Sequence, residues 1–117
     1  MEIEFTDEFG GWWDVITASE QSKVGAGVDL LRQFGVSLSF PHCSGVQGSR
    51  HTQMRELRVE VEGHPFRILY AFNPIRNAIL LLGGDKTGND RWYDVHIPIA
   101  DRLYDEHLLE LMKEGLL

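Results

Sequence analysis

Apolar and polar residues alternate with a period of two across most of Leu57 to Phe72, and the wider stretch Met54 to Lys86 organises the reading of the chain. Leu57, Val59 and Val61 interleave with Glu56, Arg58, Glu60 and Glu62, while Phe66, Ile68, Tyr70 and Phe72 interleave with Arg67, Leu69 and Ala71. Ala78 to Leu82 is apolar on both sides, which suits a central strand. Turn residues at Gly63-His64 and at Asn73, Pro74 and Asn77 join these runs into a three-stranded antiparallel meander. With Gly63 and His64 as the hairpin loop, Val61 faces Phe66, Val59 faces Ile68 and Leu57 faces Tyr70. On the other face the same register sets Glu60 against Arg67 and Arg58 against Leu69. A slip of one residue would mix the two faces, so the pattern itself holds the strands in place.

The flanks read as helices. Glu2 to Phe5 is a short first strand, and Thr6 caps a helix with Asp7 and Glu8 in its first turn and Phe9, Trp12, Trp13 and Ile16 at helical spacing. Gly10 and Gly11 weaken that helix. Ser19 opens a second one, with Val24, Val28, Leu31 and Phe34 on one stripe and Gly35 at its end. Pro41 to His51 reads as a surface loop, either a solvated connector or, through His42, Arg50 and His51, a binding loop. After the meander, Gly83 and Gly84 lead into a polar loop, Asn89 or Asp90 caps a helical turn over Trp92 to His96, and Pro98 starts a fresh helix. Ala100, Leu103, Tyr104, Leu108, Leu111 and Met112 form its apolar stripe, and Gly115 ends it. Asp101, Asp105, Glu106 and His107 are expected on its wet side. The sum is an α+β fold: an antiparallel sheet of a short first strand plus the meander, covered on one face by two N-terminal helices, with a C-terminal helix.

Length and composition narrow the class without changing this picture. The 117 residues suit one domain over 1–117, and 43% hydrophobic with 25% charged residues is ordinary globular usage. The longest apolar run is far short of the roughly 20 residues a membrane span needs. The start MEIEFTDEF is acidic where a secretory signal is basic, and a lone Cys43 excludes an internal disulfide, so a cytoplasmic setting is expected.

Charge does change the picture. The net charge of −7 argues against a polyanionic partner, but residues 50–93 alone carry +2, against −5 before them and −4 after. The meander is therefore the part that can attract nucleic acid. Within it, GGDKTG invites comparison with a phosphate loop, yet Asp85 stands where that motif needs glycine, leaving Lys86 as a lone phosphate contact or a solvated lysine. One cysteine and five scattered histidines make no recognised ligand spacing, so no metal and no cofactor are expected. Arg58 and Arg67 project from the polar face of adjacent strands, where each can offer a planar fork to a phosphate or simply pair with a neighbour such as Glu60. Tyr93 and His96, three apart, either share proton transfer or serve packing and solvent.

The segments MRELRV, PFRILYAF, AILLLGGDKTG and IPIADRLYDEHL, in this order behind a short strand and two helices, resemble the RelE/HigB-type toxins of bacterial type II toxin–antitoxin modules, phage-derived Gp49-like members of the RelE/ParE superfamily. The resemblance implies a sheet with one open face that holds messenger RNA in the ribosome, and a metal-free, ribosome-dependent endoribonuclease in which the RNA 2′-hydroxyl attacks the neighbouring phosphate. It also implies a cognate antitoxin, of helix-turn-helix type, as partner besides ribosome and mRNA, with neither membrane nor small-molecule cofactor. By position it assigns Arg67, Lys86, Tyr93 and His96 to catalysis and Arg58, Arg55, His51, Arg91 and Trp92 to RNA binding. Lys86 is followed by Thr87 where many relatives carry paired lysines, and the chain is acidic where many are basic. A ParE-like toxin that binds a protein such as DNA gyrase, or a degenerate inactive toxin, are the alternatives.

Overall fold

The computed structural model describes residues 1–117. Its strands are β1 (Ile3–Phe5), β2 (Cys43–Gly45), β3 (Arg55–Val61), β4 (His64–Phe72) and β5 (Ala78–Asp85), and its helices α1 (Asp7–Val15), α2 (Ala18–Phe34) and α3 (Trp92–Lys113). The strands form one sheet in the order β1-β5-β4-β3-β2. The meander β3-β4-β5 is antiparallel as its pattern demands, but β1 runs parallel to β5, with Ile3 beside Ala78 and Phe5 beside Leu80, so the sheet is mixed. Three residues carry no directional signal, and the pairing is set by where the two helices return the chain.

The register differs from the expected one by two residues. Val61 faces His64, Val59 faces Phe66, Leu57 faces Ile68 and Arg58 faces Arg67. The hairpin turn is Glu62-Gly63, both at positive φ (51° and 81°), the geometry of the turn whose twist matches paired strands. A shift of two keeps every side chain on its face, so the faces were assigned rightly while the partners were not.

Several local signals resolve differently from expectation. α2 starts after Thr17, whose hydroxyl accepts from the Glu20 amide (3.1 Å) while the Glu20 carboxylate accepts from the Thr17 amide (2.8 Å), a reciprocal cap that outcompetes Ser19. The expected loop Pro41–His51 contains β2, which pairs with β3 through Cys43–Leu57, Ser44–Glu56 and Gly45–Arg55. The Trp92–His96 turn and the helix expected from Pro98 are one helix, α3, with Pro98 inside it. Proline removes one backbone bond there, but Trp92, Ile97, Ala100, Leu103 and Tyr104 on either side are held by the sheet. Gly115 (φ 73°) closes α3 as expected, its amide bonding Met112 and the Leu116 amide bonding Leu111.

Both faces of the sheet carry a core. On the first, Leu57, Val59, Phe66, Ile68, Tyr70 and Leu80 meet Phe9, Val24 and Leu31 of α1 and α2. On the second, Leu69, Ala71, Ile79, Leu81 and Leu82 meet α3. Leu69 faces Leu82 and Tyr70 faces Leu80, so Leu81 is an extra residue in a bulge, and two successive leucines serve the second core. β5 continues through Gly83 and Gly84, where side chains have no room: a Cβ at Gly83 would lie 2.5 Å from the Trp12 ring, and one at Gly84 2.8 Å from Trp92 Nε1. The second face is therefore not open, as the resemblance implies; α3 covers its β4–β5 side and leaves the polar residues of β3 and the start of β4 beyond its apolar contact.

Candidate functional site

The uncovered part of the second face begins with a physical problem. The β3–β4 register places Arg58 directly opposite Arg67, and like charges so placed repel. Glu56, one step along the same face of β3 and only 4% exposed, resolves it. Its Oε2 accepts from Arg58 Nη1 (3.3 Å) and from the Ser44 hydroxyl of β2 (2.7 Å); its Oε1 accepts from the Tyr93 hydroxyl of α3 (2.5 Å) and lies 3.6 Å from Arg67 Nε. Three strands and a helix thus converge on one carboxylate.

Arg67 is itself 3% exposed. Its Nη1 donates to the Phe66 carbonyl (2.9 Å) and to Glu60 Oε1 (3.2 Å), while its Nε is sealed from solvent without a hydrogen bond. The two acids that hold it differ: the Glu56 side chain is buried, and that of Glu60 is 61% exposed. An incoming anion can compete with Glu60 for Arg67, whereas Glu56 is fixed by Ser44 and Tyr93.

Lys86 follows β5 with its amide bonded to the Pro65 carbonyl (3.0 Å), and its ammonium lies 5.5 Å from the centre of the Tyr93 ring. Burial, then the hydrogen bond to Glu56, pushes the Tyr93 phenol above its ordinary pKa, against an opposing pull from Arg67. Tyr93 therefore stays a neutral phenol at neutral pH, its hydroxyl donating to Glu56. His96, three residues further along α3, is stacked on Trp92 (4.3 Å between ring centres) with Nδ1 donating to the Trp92 carbonyl (2.7 Å), so that Nε2 is the ring nitrogen without a partner. A cleft of about 420 Å³ opens beside Glu56 and Tyr93, and Asp90 and Asp94 line it, which makes it unfavourable to an anion.

The structure gathers Arg58, Arg67, Lys86 and Tyr93 from the residues singled out in the sequence, with His96 behind Trp92. It places the others elsewhere. Arg55 shares the face of Leu57 and points toward Cys43, whose Sγ lies 3.5 Å from its Nη2. His51 bonds Asp105 (2.7 Å) and stands edge-on to Tyr104. Arg91 is exposed, 3.9 Å from Asp94, and Trp92 is buried over Gly84 rather than offered to a base. The expected wet side of α3 is partly dry as well: Asp101 is 2% exposed and accepts from the Ser49 hydroxyl (2.5 Å) and the Arg50 amide (3.0 Å), and Asp105 binds Arg50 and His51. Arg50 and His51 thus fasten the loop to α3. Glu56 and Ser44 are the site members that sequence reasoning passed over.

Solved structures with similar architecture define the class. The archaeal RelE–RelB complex from Pyrococcus horikoshii OT3 matches with a TM-score of 0.54 over 75% of this chain and 96% of that one, at 11% identity. The isolated Escherichia coli RelE toxin matches with a TM-score of 0.52 over 84% and 97%, at 8% identity. The fold is that of RelE. At the level of sequence, the family described as phage derived protein Gp49-like (DUF891) matches residues 11–105. Two Mycobacterium tuberculosis proteins are similar: one named "Putative toxin HigB3", 46% identical over 87% of this chain and 89% of its own length, and one named "Putative toxin HigB2", 37% identical over 89% of this chain. The chain spans about half (53%) of the second. The chain belongs to the Gp49-like family and is of the RelE/HigB type.

Proposed function

We propose that this protein is the toxin of a toxin–antitoxin module and acts as a ribosome-dependent messenger-RNA endoribonuclease, held in check by a cognate antitoxin. The observation that carries the reading is the convergence of Arg58, Arg67 and Tyr93 around one buried carboxylate at the margin of the α3 contact, with Lys86 beside the Tyr93 ring. A scissile phosphate displaces Glu60 and takes the fork of Arg67, with Arg58 and Lys86 adding charge as the phosphorane forms. The RNA 2′-oxygen bonds to phosphorus as the bond to the 5′-oxygen breaks. The proton of the 2′-hydroxyl passes to a base, for which His96 Nε2 is the candidate, and Tyr93 supplies one to the leaving oxygen. The products are a 2′,3′-cyclic phosphate and a 5′-hydroxyl end.

One observation favours a second reading. Arg67 is buried and ion-paired, as a purely structural arginine would be, which suits a toxin that binds a protein target such as DNA gyrase and cuts nothing. Expression in cells without the antitoxin, followed by mapping of RNA ends, separates the two. New 5′-hydroxyl ends within coding sequences support the nuclease; intact transcripts with DNA breaks support the protein-binding toxin.

A further inference from the structure

We infer that Phe40 is a stacking platform for a nucleobase beside the arginine pair, the base lying on the ring face that Arg58 leaves free. The inference rests on the RNA reading above and extends it from a phosphate to a base. Phe40 is 70% exposed, yet its segment is anchored. Two residues before it, Leu38 is buried and its carbonyl accepts from the Cys43 thiol (3.1 Å); two residues after it, the His42 carbonyl accepts from the Arg58 amide of β3 (2.9 Å). The Arg58 guanidinium lies 5.2 Å from the centre of the Phe40 ring while bonding Glu56. The ring is therefore held against one member of the arginine pair, with its other face open to solvent.

Proteins that hold single-stranded nucleic acid combine cationic groups for the backbone with exposed aromatic faces for the bases. Phe40 and Arg58 join both elements at one point, and Arg58 leads through Glu56 to Arg67. A protein partner is the weaker match, because the nearest exposed apolar residues in the chain, Phe34 and Val36, line a groove with Met1 and Phe72 that does not include Phe40, whereas protein contact surfaces present apolar residues in contiguous patches.

The test uses a short single-stranded RNA with 2′-O-methyl riboses, so that it cannot be cut, and one 2-aminopurine whose fluorescence falls when it stacks. The protein is expected to bind and quench it at a defined position. Phe40→Leu is expected to bind roughly fivefold to a hundredfold more weakly and to lose the quench, and Phe40→Tyr to keep both. With the stacked base removed from the RNA, the protein and Phe40→Leu are expected to bind alike. If Phe40→Leu binds and quenches as the unaltered protein does, the stacking role is overturned and the ring serves a protein partner or none. If Phe40→Leu weakens the abasic RNA equally, the ring only props Arg58 and the proposal is again overturned. Failure of the unaltered protein to bind either RNA, both free and on programmed ribosomes, would instead sink the RNA reading itself.

Discussion

Two carboxylates are buried to almost the same depth where α3 meets the rest of the protein, Glu56 at 4% and Asp101 at 2% exposure, and their surroundings are opposite in kind. Asp101 accepts from a neutral hydroxyl and a backbone amide, and no donor there is left over. It is a clasp that fastens the Ser49–His51 loop to α3. Glu56 stands between two arginines and a phenol, and beside it a buried guanidinium nitrogen, Arg67 Nε, has no hydrogen bond. One unmet donor, Arg67 Nε, beside a partner that solvent can pull away, Glu60, makes a site able to accept a further anion. The difference between clasp and site lies in the balance of donors and acceptors rather than in burial.

The largest expected effect breaks the Glu56 site. Arg67→Ala should lower RNA cleavage about 10²–10³-fold, as loss of a transition-state donor does. It should also cost about 1–3 kcal/mol in denaturant unfolding, because buried Glu56 loses one of its two arginines and keeps Arg58. Arg67→Met combined with Glu56→Gln should recover most of that stability and none of the activity. Next comes the clasp. Asp101→Ala should cost about 1–3 kcal/mol in the same unfolding measurement, since the Arg50 amide and Ser49 hydroxyl lose their acceptor, while cleavage per folded molecule stays unchanged.

A pH dependence separates the two regions with a smaller effect. Because burial and Glu56 raise the Tyr93 pKa, the fold favours the neutral phenol. Its contribution is fully present below the ordinary phenol value of about 10 and is lost as pH rises through the folded value. Unfolding followed from pH 8 to 11 should show this alkaline loss in the native protein and less of it in Tyr93→Phe. The smallest effect sharpens the comparison: Glu60→Gln should strengthen binding of a short RNA by up to about fivefold, the scale of an exposed ion pair, and Asp105→Asn should leave it unchanged.

How much of this was legible in the sequence depended on the range over which each signal acts. The alternation from Leu57 to Phe72 spans two strands and fixed their faces, even though Glu62 took a positive φ that moved the register by two. The same alternation already sets Arg55 with Leu57 and Val59, away from Arg58. β2 and the direction of β1 were out of reach, because three residues hold too little pattern. Pro98 signals a helix start, and only the packing of residues on both sides of it shows that α3 runs through. In the site, the cations could be named from their strand positions, but Glu56 looked like any glutamate on a polar face. Its burial comes from Ser44 and Tyr93, 12 and 37 residues away in the chain, and such distances leave no local trace.

The most direct measurement is cleavage of messenger RNA on programmed ribosomes by the purified protein and by its Arg67→Met/Glu56→Gln variant, each shown to be folded under the assay conditions. Cuts with 5′-hydroxyl ends from the native protein and none from the equally folded variant are the predicted result. Equal cutting by both would contradict the account, for it would leave the buried arginine a purely structural part of the fold.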